Sequence, residues 1–347
     1  MKRENQLVHV GWADHLRVFA TIAVVFLHAS ADSLGLFGKI PLSDWWIGNF
    51  YDSAVRCSVP LFLMLTGVLM LPVEYDFKGF LKRRFVRIVL PLLFWSFVYI
   101  GFAFLLKFSH GEDLRLGQCI EYIVHSLVFG SSFHFWYVYM ILGIYVFIPI
   151  IGIYVRKLNT KSIFIFLCVW LVVLFINQFV NRSSLSYLNY FPGYFGYIIL
   201  GYYLSIKEFK NLKNIRLVSF FLIFSGILIT TLGTYYSTIQ NNHFTERYYS
   251  YLSLNVLMVS VGVFLLFKNT RKIYLKDNFT ITFINKHSYG IYLIHILILA
   301  IVSKPGIQWD FIHPAVGPFV TTSLCLFISG LIVYVAGKLP YGKYISG

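Results

Sequence analysis

About ten apolar runs, each long enough to cross the hydrocarbon core of a bilayer, leave this chain few folds to choose from. They lie near residues 14–34, 46–71, 85–107, 134–155, 162–180, 190–206, 215–236, 249–267, 287–304 and 313–337, bounded by charges or by clusters of Pro, Gly and Asn. Hydrocarbon offers no water to satisfy backbone N–H and C=O groups, so runs of this kind are read as α-helices. The rest of the composition agrees. Only 12% of the 347 residues are charged, against about 25% in a soluble domain, and mean hydropathy is +0.72. No polar stretch is long enough for a soluble domain. The expected fold class is an all-α integral membrane protein, a bundle of about ten transmembrane helices forming one membrane-embedded domain over 1–347, with the lipid bilayer as its solvent.

The net charge of +15 would suggest nucleic acid on a soluble surface. Its distribution excludes that partner. With the N-terminus inside, most of the 29 Lys and Arg fall on the inner side. They are Lys2, Arg3 and Arg17; Lys78, Lys82, Arg83, Arg84 and Arg87; Arg156, Lys157 and Lys161; Lys207, Lys210, Lys213 and Arg216; Lys268, Arg271, Lys272, Lys276 and Lys286; and Lys338 and Lys343. Lys39, Lys107, Arg115, Arg182, Arg247 and Lys304 fall outside. The bias predicts an N-in, C-in topology. Lys2 and Arg3 resemble the start of a signal peptide, but no small-residue cleavage site follows, and Asp14 and Arg17 inside the first run argue that it is retained. The longest connection, 108–133, carries Glu112, Asp113 and Glu121 beside an apolar stripe of Ile120, Ile123, Val124 and Leu127. That pattern predicts a short amphipathic helix at the outer interface. Cys57, Cys119, Cys168 and Cys325 show no ligand spacing and read as packing residues, with no disulfide framework or metal site implied.

Polar side chains inside these runs locate the chemistry. In LRVFATIAVVFLHAS, Arg17 and His28 fall on one helical face, roughly 16 Å apart along the axis. Asp14, Thr21 and Asp32 fall near the same line, so this stripe faces protein or a water-filled cavity. Arg56, in YDSAVRCSVPLFLMLTG, reaches about the depth of His28 when the second span runs inward, so the two share one cavity in the outer half. A structural ion pair of Arg56 with Asp52 or Asp32 is the competing reading. Pro60 is expected to kink the helix nearby. Asp32, one turn beyond His28, could hold the imidazole in the tautomer of a general base.

Arg84 and Arg87 in KRRFVRIVLP are i, i+3 neighbours that could clamp a phosphate, or could simply anchor the inner interface. His134, Trp136, Tyr137 and Tyr139 open the fourth span, where aromatics are usually interfacial belt residues, the reading taken for Tyr137, while Trp136 next to His134 could also supply a stacking surface for a sugar. Ser288, Tyr292 and His295 share a face of the ninth span. His295 and Asn255 could equally be interhelical hydrogen-bonding residues. The sequence has no GxSxG, HExxH, P-loop or Rossmann fingerprint in a usable context.

WADHLRVFATIAVVFLH resembles the opening signature of the integral-membrane acyltransferase family 3, an Asp, then an Arg and, ten residues further, a His. SAVRCSVPLFLMLTG is similar to the family's second block, with Thr66 where Ser is usual. RFVR is similar to its Arg-x-x-Arg motif, and FHFWYVYMILGIYVFIP, YFPGYFGYIILGYYL and HSYGIYLIH to its later blocks in the same order. The resemblance implies transfer of an acyl group, most often acetyl from acetyl-CoA, to a hydroxyl of a cell-envelope glycan or lipid-linked saccharide at a bacterial inner membrane. By position it implies His28 as catalytic base, with Asp14 and Arg17 from the same signature, Arg17 supporting the acyl donor, and Arg84 and Arg87 binding CoA phosphates. Arg56 would stabilise the oxyanion. Trp136, His134, Tyr292 and His295 would contact the acceptor. A conduit is expected from the basic inner mouth to His28, long enough for a pantetheine arm. Direct attack and an acyl-histidine intermediate both fit the residues. The competing classes are a secondary transporter or exporter of a polar metabolite, which also needs buried charges, although no repeated halves are evident, and a catalytically idle scaffold.

Overall fold

The computed structural model describes residues 11–112, 115–179, 186–209, 211–270 and 278–347, with the side chains of 186–192 left aside. Lys2, Arg3, Asp113, Arg182, Lys210, Arg271, Lys272 and Lys276 lie outside the described residues. The described chain contains α1 (Gly11–Ser30), α2 (Leu42–Val55), α3 (Ser58–Met70), α4 (Phe77–Ser109), α5 (Leu116–Phe129) and α6 (Trp136–Lys157). It continues with α7 (Thr160–Phe179), α8 (Ser186–Ile206), α9 (Leu212–Asn241), α10 (Leu254–Lys268), α11 (Phe279–Ser303) and α12 (Gly317–Lys338). Nine segments among the described residues are long and apolar enough to cross a membrane. The protein is an all-helical, multi-pass membrane protein. The run near 190–206 falls within α8, which is 21 residues long and is not among those nine.

Several boundaries differ from the apolar pattern for local reasons. The second run is two helices, α2 and α3, interrupted at Arg56 and Cys57. Pro60 lies in the first turn of α3, where its missing N–H has no helical partner to lose, so the break falls before it and Pro60 starts a helix instead of kinking one. Helix α4 begins at Phe77, capped by the Asp76 side chain accepting from Gly79 N at 2.7 Å, and thereby carries Arg83, Arg84 and Arg87. Helix α11 begins at Phe279, capped by Asn278, and so takes Asn285 and Lys286 into the helix ahead of the apolar run. The connection after α4 holds the separate helix α5, with Ile123 and Leu127 half-buried and Ile120 and Val124 exposed.

Helix α1 sits at the centre, packed against α2, α3, α10, α11 and α12. Ala13, Leu16, Ala20, Ala23 and Val25 are almost wholly covered. Helices α7 and α9 lie at the edge, presenting Phe164, Phe175, Phe220 and Phe224 outward, as lipid-facing helices do. Helices α3 and α8 approach closely through a reciprocal pair of glycines. A Cβ at Gly67 would collide with the carbonyl oxygen of Ile198, and one at Gly201 with that of Met64. This contact holds the broken second span in place. Gly201→Leu is expected to lower the thermal midpoint of the purified protein, by overpacking worth about 1–3 kcal/mol or more. Gly101→Leu, on an open face of α4, should leave it unchanged.

Candidate active site

The polar stripe of α1 opens on two cavities, one at each end. Arg17 belongs to the first. Its Nη1 donates to Asn285 Oδ1 at 2.7 Å and lies 3.6 Å from Asp14 Oδ1. The cavity, about 410 Å³, is lined by Arg17, Arg84, Arg87 and Lys286 together with Thr66, Ser288 and a set of tyrosines, Tyr137, Tyr145, Tyr289 and Tyr292. Arg84 lies 5.7 Å from the Phe80 ring centre and 5.9 Å from that of Tyr145, which hold its guanidinium by cation–π attraction. Arg17, Arg84, Arg87 and Lys286 give this cavity a strongly basic lining, with Asp14 beside Arg17 and Gly347 also at the wall, a charge balance suited to a polyanion. Tyr137, expected as a belt residue, is half-buried and lines the cavity instead.

The second cavity, about 740 Å³, is lined by His28, Asp32, Arg56, Phe133, Trp136, Tyr194, Glu246, Tyr249 and Tyr251, among others. His28 and Arg56 do share it. The interruption between α2 and α3 lets Arg56 turn in. Its Nη2 donates to the fully buried Asp52 at 2.6 Å, and its guanidinium lies 4.3 Å from the Tyr249 ring centre. Tyr249 is fixed in turn, its hydroxyl donating to Asn49 Oδ1 at 2.6 Å. Trp136 stacks on Tyr251 with centroids 5.8 Å apart and planes 23° apart, forming an aromatic wall able to face a sugar ring. Asp32 is exposed at this cavity and Trp136 partly so.

Between the cavities stands a partition, where a continuous conduit was expected. The Tyr292 ring is 8% exposed. It lies 5.7 Å from Tyr137, 5.4 Å from His134 and 5.6 Å from His295. The Tyr292 hydroxyl donates to the backbone oxygen of His134. His295 is 4.9 Å from His134 and 5.3 Å from His28, so the path from Arg17 to His28 is filled by packed aromatic rings. Tyr292 lines the basic cavity, whereas His134 and His295 are buried behind the cavity walls.

Sequence reasoning missed Asn285 and passed over Lys286 as one more inner lysine, because both precede the apolar run. Tyr249, Tyr251 and Glu246 sit in a 3-10 turn and its flanks, where no helical periodicity marks them. Asp52, the rival partner for Arg56 that the sequence offers, does form that ion pair, fully buried behind the cavity that Arg56 lines.

These features define a multi-span membrane protein with a cation-lined chamber and an imidazole-bearing chamber on one central helix. The acyltransferase 3 family, an acyltransferase domain, matches residues 10–338, and the chain belongs to that family. It is accordingly a membrane-embedded acyltransferase. Comparisons with curated proteins and with solved structures returned no match.

The Asp52–Arg56 pair has a direct thermodynamic signature. Removing one partner leaves an uncompensated buried charge, so Asp52→Ala is expected to cost about 3–5 kcal/mol. The double variant Asp52→Ala with Arg56→Met should recover much of that loss, as read by thermal unfolding in detergent.

Proposed function

We propose that this protein moves an acyl group, acetyl in the first instance, from cytosolic acyl-CoA to a hydroxyl of a cell-envelope glycan or lipid-linked saccharide. It would lie in a bacterial inner membrane with N-in, C-in topology and ten spans, α8 being the tenth. The positive-inside bias and the basic cavity support that orientation together, since CoA is cytosolic and polyanionic. We take the resemblance of SAVRCSVPLF and HSYGIY to blocks of the enterobacterial common antigen O-acetyltransferase as favouring an O-acetyl product on an envelope saccharide.

The observation that carries the reading is the placement of a cationic chamber and an imidazole chamber at two ends of one helix face, divided by a thin layer of rings. Arg84, Arg87, Lys286 and Arg17 would hold the phosphates and orient the thioester arm. The acceptor sugar would lie against Trp136 and Tyr251. Its hydroxyl gives its proton to His28 as its oxygen bonds to the thioester carbon. The C–S bond then breaks, and the thiolate takes the proton back from His28. Arg56, with its charge fixed by Asp52, would face the oxyanion. Asp14, close to Arg17, sets that guanidinium's position. For the arm to reach His28, the Tyr292 ring must swing aside. A direct transfer needs no covalent intermediate, and ping-pong kinetics would replace it with an acyl-histidine route.

Purified protein in detergent, given acetyl-CoA and an envelope glycan extract with no gradient imposed, should release CoA and add an acetyl mass increment to the glycan. His28→Ala should lower that rate by about 10²–10⁴-fold. Arg84→Ala and Arg87→Ala should chiefly raise KM for acetyl-CoA. A protein that neither binds nor turns over the thioester, but moves a polar solute in vesicles, would instead be a transporter.

A further inference from the structure

We infer that His295 is the positioning residue for His28, holding it in the tautomer whose free nitrogen faces the aromatic cavity. This rests on the reading of His28 as the base. His295 is fully buried in α11, and its Nδ1 lies 2.6 Å from the carbonyl oxygen of Tyr292. A carbonyl oxygen only accepts, so Nδ1 carries the hydrogen and Nε2 carries the lone pair. Nε2 is buried and has no hydrogen-bond partner among the described residues. A buried acceptor left in that condition is costly, so a donor is expected to face it.

Two imidazoles lie near enough to be that donor, and one is already engaged. The His134 ring is 4.9 Å from His295, but its Nδ1 pairs with Ser132 Oγ at 2.9 Å and its Nε2 points to the Leu293 carbonyl at 3.4 Å. The His28 ring is 5.3 Å away with planes 38° apart; its nitrogens are not hydrogen-bonded to His295 in this structure, but at that separation a rotation of the His28 side chain that turns nitrogen to nitrogen brings them within hydrogen-bonding distance. Asp32, which the sequence offered for this task, is exposed at the cavity. A histidine therefore takes the place that a carboxylate fills in many catalytic constellations. In the proposed state the His28 ring turns its N–H onto His295 Nε2, and its second nitrogen is left unprotonated toward the acceptor hydroxyl. His295 stays neutral throughout. The hydroxyl proton goes to His28 and leaves with the thiolate, so no proton is stored on α11.

The test compares His295→Leu and His295→Gln in the full-length protein in detergent, in samples with the wild-type size-exclusion profile. The glutamine amide oxygen can still accept from His28, whereas leucine cannot. His295→Leu is expected to lower kcat about 10–100-fold with KM for acetyl-CoA unchanged, and His295→Gln to recover most of the loss. Site-resolved modification of His28 by diethylpyrocarbonate, read by mass spectrometry, should slow in the leucine variant and return in the glutamine variant. A leucine variant that labels and turns over like wild type overturns the inference, as does a glutamine variant no better than leucine in both readouts. If the labelling pattern holds while wild type transfers no acyl group, the contact stands and the acyl-transfer reading fails.

Discussion

A bundle of apolar helices can keep an ionisable side chain only by giving it a partner or a cavity, and the layout of this protein follows from that constraint. Helix α1 meets it twice. Arg17 donates to Asn285 of α11 and opens on a basic chamber, and His28 packs against His295 of the same helix and opens on an aromatic one. Helices α1 and α11 thus form the axis on which both ends of the site are mounted. The break between α2 and α3 meets the same constraint for Arg56, turning it onto Asp52 and the face of Tyr249. The glycine contact of α3 with α8 keeps that break in register with the rest of the core.

The partition gives this arrangement its chemical sense. A thioester in contact with a water-filled cavity is open to hydrolysis, and excluding water from a reactive intermediate is a recognised role of closing elements. Tyr292 is held by its hydroxyl on the His134 backbone and by ring contacts with Tyr137, His134 and His295. On the proposed function, these rings keep the donor chamber apart from the acceptor chamber until both are occupied. The imidazoles behind them would then serve the reaction by shaping His28, with the sugar held by the exposed aromatic wall.

Much of this was legible in the sequence because helical periodicity survives in apolar segments. Arg17 and His28 share a stripe by angle alone, and Arg84 and Arg87 fall on one helix that lines the basic cavity. The meeting of Arg56 with His28 followed from depth. Other residues were hidden for physical reasons. Asn285 and Lys286 lie in a helical extension that polar composition disguised as a loop. Tyr249 and Tyr251 lie in and just after a 3-10 turn, and reach the cavity through contacts made over 200 positions of chain, as in the Tyr249–Asn49 hydrogen bond. Pro60 suggested a kink at its own position, yet its place in the first turn of α3 moved the break to Arg56. The partition could not be read at all, because it depends on side chains from α6, α11 and the turn before α6 packing in three dimensions.

The most direct measurement of the central claim is a structure of the protein with a non-hydrolysable thioether analogue of acetyl-CoA. The account predicts phosphate density among Arg17, Arg84, Arg87 and Lys286, the Tyr292 ring displaced, and the carbonyl of the analogue beside His28. Phosphates bound away from that basic chamber, or a carbonyl that stays on the Arg17 side of an unmoved Tyr292, would contradict it.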